Sequence, residues 1–146
     1  TMGELKNVIA RLAGIAIEKK RINISVISFG YKYGLPLDAD IVYDVRFLAN
    51  PNYIDSLKSK TGKDAAVKNY ILANSDFENF FSLFSKLIEY TLPKFISEGK
   101  SYLTIAIGCT GGRHRSVFAA ERLADFLMKG KFKININHRD ILRSKQ

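Results

Sequence analysis

The chain has 146 residues, 47% hydrophobic and 25% charged, with a formal net charge of +9. That length suits one domain with a core of its own, and no apolar run approaches the roughly 20 residues of a membrane span, so no membrane association is expected. The single cysteine, Cys109, cannot form an internal disulfide, and Thr1-Met2-Gly3-Glu4-Leu5 opens no apolar signal core, so the cytoplasm is the expected compartment.

Taken in chain order, Leu5, Val8, Ile9, Leu12, Ile15 and Ala16 fall on one helical face, which the charged run Glu18 to Arg21 ends. Ile22 to Phe29 is rich in β-branched residues and predicts a strand. Gly30 to Ala39 holds Gly30, Gly34 and Pro36 and predicts a loop. Ile41 to Leu48 predicts a second strand, broken by Asn50-Pro51-Asn52, and Thr61-Gly62-Lys63 a turn. Ser75 with Glu78 has the form of a capping box. It would open a long amphipathic helix with Phe77, Phe80, Phe81, Phe84, Leu87 and Ile88 inward, ended or kinked by Pro93 near Leu92. Tyr102 to Ile107 reads as the central strand, and Val117, Ala120, Ala124, Leu127 and Met128 mark the helix after it. Phe132 to Ile136 gives a short last strand. Strands alternating with helices imply an α/β fold, a mostly parallel sheet flanked by helices in a single domain. Ligands in such folds bind beyond the carboxyl ends of the strands, where the loops after Phe29 and Phe47 carry Lys32, Tyr33, Asn50 and Asn52. Neither G-x-x-x-x-G-K-[ST] nor G-x-G-x-x-G occurs, so nothing argues for a nucleotide site here, and no metal or other cofactor is expected.

The run Gly108-Cys109-Thr110-Gly111-Gly112-Arg113-His114-Arg115-Ser116 is the most informative stretch. A strand, a Gly-rich turn and a helix aim free N–H groups and the positive end of a helix dipole at one point, which suits an oxyanion. Arg113 and Arg115 add guanidinium charge fitted to phosphate, with the Arg115 side chain expected to face solvent at the pocket. His114, inside the loop, is expected to contact the ligand and to make binding pH-dependent near its ordinary pKa of about 6.5. The same residues fit the C-x5-R-[ST] spacing of cysteine-dependent phosphatases, with Cys109 and Arg115 in the catalytic roles, although Gly108 stands where those enzymes carry a histidine. A third reading is a plain structural turn. The place of Cys109 directly after a buried strand favours a small buried thiol over a nucleophile. A phosphatase also needs a general acid, and of Asp38, Asp40 and Asp44 the last is expected to be tied to Arg46.

From Lys129 to Gln146 the six bases Lys129, Lys131, Lys133, Arg139, Arg143 and Lys145 stand against one acid, Asp140, a net +5. Such a segment suits nucleic-acid phosphates or a merely solvated tail, and with Phe132 its only aromatic residue, base stacking is not expected there. His138 beside Arg139 reads as a surface residue.

Several motifs in order carry a resemblance. Ser28-Phe29-Gly30-Tyr31-Lys32-Tyr33-Gly34-Leu35-Pro36, Asp38-Ala39-Asp40, Asp44-Val45-Arg46-Phe47-Leu48, Asn50-Pro51, Thr61-Gly62, the Ala106 to Val117 loop and His138-Arg139-Asp140 together resemble the RapZ (RNase adapter protein) family, including its YvcJ-type members, over about residues 5 to 143. The resemblance implies the C-terminal domain of a two-domain protein whose P-loop domain, binding ATP or GTP, is absent, with residues 1–20 as a leading helix at the junction. It implies an RNA-binding, phosphometabolite-sensing regulatory domain in amino-sugar metabolism. Its partners would be a small regulatory RNA, a ribonuclease and a phosphorylated sugar such as glucosamine-6-phosphate, with homo-oligomerisation through the longer protein. The oxyanion pocket so implied comprises Cys109, Thr110, Gly111, Gly112, His114 and Arg115, with Arg113 and Ser116 beside them and Asn52 where some relatives have a histidine. The implied RNA contacts are Lys129, Lys131, Lys133, His138, Arg139, Arg143 and Lys145.

Overall fold

Four apolar stretches pair as strands in the computed structural model, which describes residues 1–6 and 22–143. β1 (Asn23–Gly30), β2 (Ile41–Asp44), β3 (Tyr102–Cys109) and β4 (Lys133–His138) form one sheet in the order β2-β3-β1-β4. Every pairing is parallel. Parallel neighbours need crossover connections. These are α1 (Ala65–Ile71) and α2 (Asp76–Ser97) between β2 and β3, and α3 (Arg115–Lys129) between β3 and β4. The register sets Ile24 beside Leu103 and Val26 beside Ile105, so alternate residues of the two central strands line one face. That face is buried against Phe77, Phe84, Ile88 and Leu92 of α2 and Phe118, Leu123 and Leu127 of α3.

Several expected boundaries move, each for a local reason. β2 stops at Asp44 rather than Leu48, because the Asp44 carboxylate accepts from Arg46 N at 2.9 Å and closes a turn that leaves the sheet. β4 runs two residues past Ile136, to His138. The capping box does not form: Ser75 makes no side-chain cap bond, Asn74 Oδ1 accepts from Asp76 N at 2.9 Å, and Glu78 pairs with Arg122 at 2.8 Å. α2 passes through Pro93 to Ser97, held by Leu92 before the proline and Phe95 and Ile96 after it, all packed on the core. Leu87 of α2 and Met128 of α3 face outward, at 54% and 48% exposure. α1 was not anticipated. Its entry is a turn in which Thr61 N donates to Asp64 Oδ2 at 2.7 Å, and it buries Val67 and Ile71 one turn apart. The helix expected over Leu5 to Ala16 lies largely outside the described residues, of which 2–6 are helical. Among the described residues no helix is long and apolar enough to cross a membrane.

Candidate anion site at the Cys109 loop

The parallel sheet brings the carboxyl ends of β1, β2 and β3 together, with Gly30 beside Cys109 and Asp44 beside Gly108. The loop from Thr110 to His114 crosses that edge and enters α3 at Arg115. Gly112 has a φ of +79°, and a Cβ there would lie 2.5 Å from Gly30 N. A Cβ on Gly30 would lie 2.5 Å from the carbonyl carbon of Gly111. Two glycines therefore let the β1 end and the loop pass backbone to backbone. Neighbouring amides grip the loop by its acceptors: Lys32 N on Thr110 O at 3.1 Å, Gly62 N on Arg113 O at 2.8 Å and Phe118 N on His114 O at 3.0 Å.

The loop borders a cavity of about 180 Å³. Asn52, Cys109, Thr110, Gly111, Arg113, His114 and Arg115 line it, joined by Lys32 and Asn50. Gly112 and Ser116 do not. Gly112 packs behind the loop, and Ser116 is fully buried with its Oγ 3.1 Å from Cys109 Sγ. Asn52 is held by its backbone, its N donating to Asn50 Oδ1 at 3.0 Å.

The two loop arginines differ in kind. Arg113 donates to Ile141 O, Lys58 O and Ser59 O at 3.2 to 3.4 Å, so it ties three segments together. Arg115 is not solvent-facing: it is 4% exposed. Its Nη1 donates to Arg46 O at 2.6 Å and Leu48 O at 3.2 Å, and Nη2 reaches Thr110 Oγ1 at 3.4 Å. Its Nε is buried with no hydrogen-bond partner among the described residues. His114 is 7% exposed, and its Nε2 likewise has none. Burial holds His114 below the usual histidine range, with Arg113 and Arg115 adding to the effect and the carbonyls of Lys60 and Leu57 opposing it. The neutral form of the ring is therefore favoured relative to a free histidine. Asp44 is tied to Arg46 as expected, with Nη2 to Oδ2 at 2.7 Å, and that guanidinium holds its carboxyl below the ordinary range. Arg46 also stacks over Tyr31 at 3.9 Å.

The basic segment proves not to be one patch. Lys129 ends α3 and Lys133 starts β4 beside Asn23, at the sheet edge opposite the cavity. Lys129, Lys131 and Lys133 are exposed. Behind the Cys109 loop, Asp140 is fully buried and accepts from Gly30 N at 2.7 Å, Arg139 Nη2 at 2.9 Å and Arg143 Nε at 2.7 Å. Burial would raise its pKa, but these bonds outweigh that and hold it below the ordinary range. Arg139 and Arg143 are thus largely spent on Asp140. His138 is no surface residue: its side chain is 7% exposed, with Nδ1 2.6 Å from Ser28 Oγ and Nε2 3.0 Å from Glu121 Oε1, clamping β4 to β1 and α3. Lys145 lies outside the described residues. The role of Asp140 has no local mark, since nothing in the sequence shows one acid in a basic run to be a buried hub. No group of three or more potential metal-ligating side chains occurs among the described residues.

Comparison with known proteins places the chain. The family model for the RapZ C-terminal domain matches residues 22–142. A nucleotide-binding protein of Endomicrobium trichonymphae is 64% identical over 144 residues, covering 98% of this chain and 50% of that protein. Another from Limosilactobacillus fermentum is 56% identical over 118 residues, 81% of this chain and 41% of its own length. A third, from Caldanaerobacter subterraneus, is 47% identical over 141 residues, 97% of this chain and 50% of its own. The chain spans about half the length of these relatives. It belongs to the RapZ C-terminal domain family.

Proposed function

We propose that this RapZ-family domain senses a phosphorylated sugar such as glucosamine-6-phosphate at the Cys109 loop and binds RNA, as a regulatory domain of a longer cytoplasmic protein. The observation that carries the reading is the buried Arg115 guanidinium, which has an unpartnered Nε and belongs to the lining of a cavity bordered by a Gly-rich turn and a helix start. A buried donor left unpaired costs roughly 1–3 kcal/mol, and an oxyanion would satisfy it. The carbonyls of Thr110, Arg113 and His114 are held by the Lys32, Gly62 and Phe118 amides, and the amides at the start of α3 suit an anion. A cavity of about 180 Å³ is smaller than the sites that take drug-sized molecules and suits a small anion or a phosphorylated monosaccharide. Asn50 and Asn52 supply neutral polar groups for sugar hydroxyls.

RNA would be met chiefly by the exposed Lys129, Lys131 and Lys133, through phosphates rather than bases. A ribonuclease partner and oligomerisation through the longer protein belong to the same proposal, as does ATP or GTP binding by the half that this chain does not span. Calorimetry with glucosamine-6-phosphate, inorganic phosphate and unphosphorylated glucosamine tests the pocket. Heat is expected from the two phosphates, in competition, and none from glucosamine. Absence of binding by either phosphate would refute the reading.

A further inference from the structure

We propose that the sheet face turned away from α2 and α3 holds an unpaired stretch of RNA, with a base stacked on Tyr102 and phosphates on Lys131 and Lys133. The proposal rests on the RNA reading above and adds a place for bases to the lysine–phosphate contacts. Alternation along the strands carries it. Ile24, Leu103 and Ile134 pack toward the core, so their neighbours Asn23, Tyr102 and Lys133 face the other way. The register sets those three side by side across β3, β1 and β4. Thr104, Ser25 and Asn135 make the next row on the same face.

A hollow of about 380 Å³ lies here, bordered by Tyr102, Asn23, Ser25, Lys133 and Asn135 with Ile24 and Ile134. Tyr102 is 71% exposed, and Lys133 and Asn135 are exposed beside it. The two rows span two strand spacings of about 4.8 Å and one two-residue step of about 6.6 Å, room for one or two bases.

Charge and chemistry select the occupant. No carboxylate lines the hollow, and Lys133 stands at its rim with exposed Lys131 two residues before it. Lys131 has a φ of +65°, a turn conformation that suits glycine better, so its charge is placed there at a backbone cost. A polyanion complements this rim, whereas a second copy of a chain at +9 does not. An exposed tyrosine ring stacks on a base, and the Asn23, Ser25 and Asn135 side chains offer neutral donors and acceptors to a base edge or a 2′-hydroxyl. Bases inside an A-form duplex are already stacked, so a ring on a sheet face meets only those in loops, bulges or ends.

Fluorescence anisotropy with a labelled short oligouridine and a labelled blunt RNA duplex tests this on the unaltered chain, Tyr102→Ala and Tyr102→Phe. Circular dichroism checks the fold, which a largely exposed side chain should leave intact. Alanine should weaken oligouridine binding roughly 5- to 150-fold, phenylalanine should keep the parent's affinity, and the duplex should bind all three alike. The log–log salt slope should not change in Tyr102→Ala, because no charge is removed. A folded Tyr102→Ala chain that binds oligouridine as tightly as the parent, or loses the duplex to the same degree, would overturn the stacking platform and leave the lysine–phosphate reading standing. Sedimentation showing that Tyr102→Ala abolishes self-association without altering RNA affinity would overturn it too, in favour of a second copy. Absence of binding of either RNA by the unaltered chain would overturn both readings.

Discussion

Replacing Arg115 by alanine separates the two tasks the structure gives this side chain. Its Nη1 holds the carbonyls of Arg46 and Leu48, and the side chain is almost wholly buried. Removing it strips two backbone acceptors of their donor, each costing about 1–3 kcal/mol, so the fold should lose on the order of 2–6 kcal/mol. Small domains are stable by roughly 5–15 kcal/mol, so the variant should remain mostly folded in buffer. The second task is the anion. A charge-assisted bond from Nε is worth about 1.5–3 kcal/mol, which predicts phosphate binding weaker by roughly 10- to 150-fold. Urea unfolding with and without phosphate reads both quantities. The midpoint without ligand reports the clamp on the β2 exit, and the extra stability with ligand reports the affinity, since about 2.7 kcal/mol appears at a hundredfold excess over Kd. A folded Arg115→Ala protein that binds phosphate as tightly as the parent would refute the role of Nε. An unchanged midpoint would refute the clamp.

Asp140→Asn should cost about 3–5 kcal/mol, because two arginines and the Gly30 amide lose a buried carboxylate. The folded Asp140 pKa lies below its unfolded value, so its contribution is complete above the unfolded value and fades as pH falls through the folded one; acid titrations of stability should be flatter below about pH 4 in the variant. His114 has the same sign for a different reason, since burial disfavours its charged form. Its folded pKa is depressed, so the protein gains stability as pH rises through the window between its folded and unfolded values and is fully stabilised above about 6.5; an NMR titration should place the ring's midpoint below 6.5. Replacing Lys129, Lys131 and Lys133 together by alanine should reduce the log–log salt slope of RNA binding by about 2–3, with similar losses for hairpins of unrelated sequence. An unchanged slope would move the RNA surface elsewhere, to the arginine-rich cavity edge in the first instance.

Much of the fold was legible because its signals are local. β-Branched runs at Ile22 to Phe29 and Tyr102 to Ile107, the Phe stripe of α2 and the apolar spacing of α3 each report a period that the backbone follows. The short helix α1 was less visible because only Val67 and Ile71 of its seven residues are buried, too few to stand out as a period. The helix does not end at Pro93, because core packing on both sides of the proline outweighs its local cost.

The candidate site divides along the same line. Its position at the carboxyl edge of the sheet and the glycines that let the loop turn were determined by the order and identity of residues within one strand–loop–helix unit. How the charges are used was not. Arg113 and Arg115 look alike in the sequence, yet one is spent on loop carbonyls and the other keeps a buried donor unpaired. His138 becomes a clamp, and Arg139 and Arg143 become counter-ions, only because Ser28 and Gly30, 110 residues before their partners His138 and Asp140, lie beside the end of β4. Backbone periodicity is a property of neighbours in the chain. The allotment of hydrogen-bond donors and charges is decided by partners that only the folded sheet brings together, and burial there makes each pairing count.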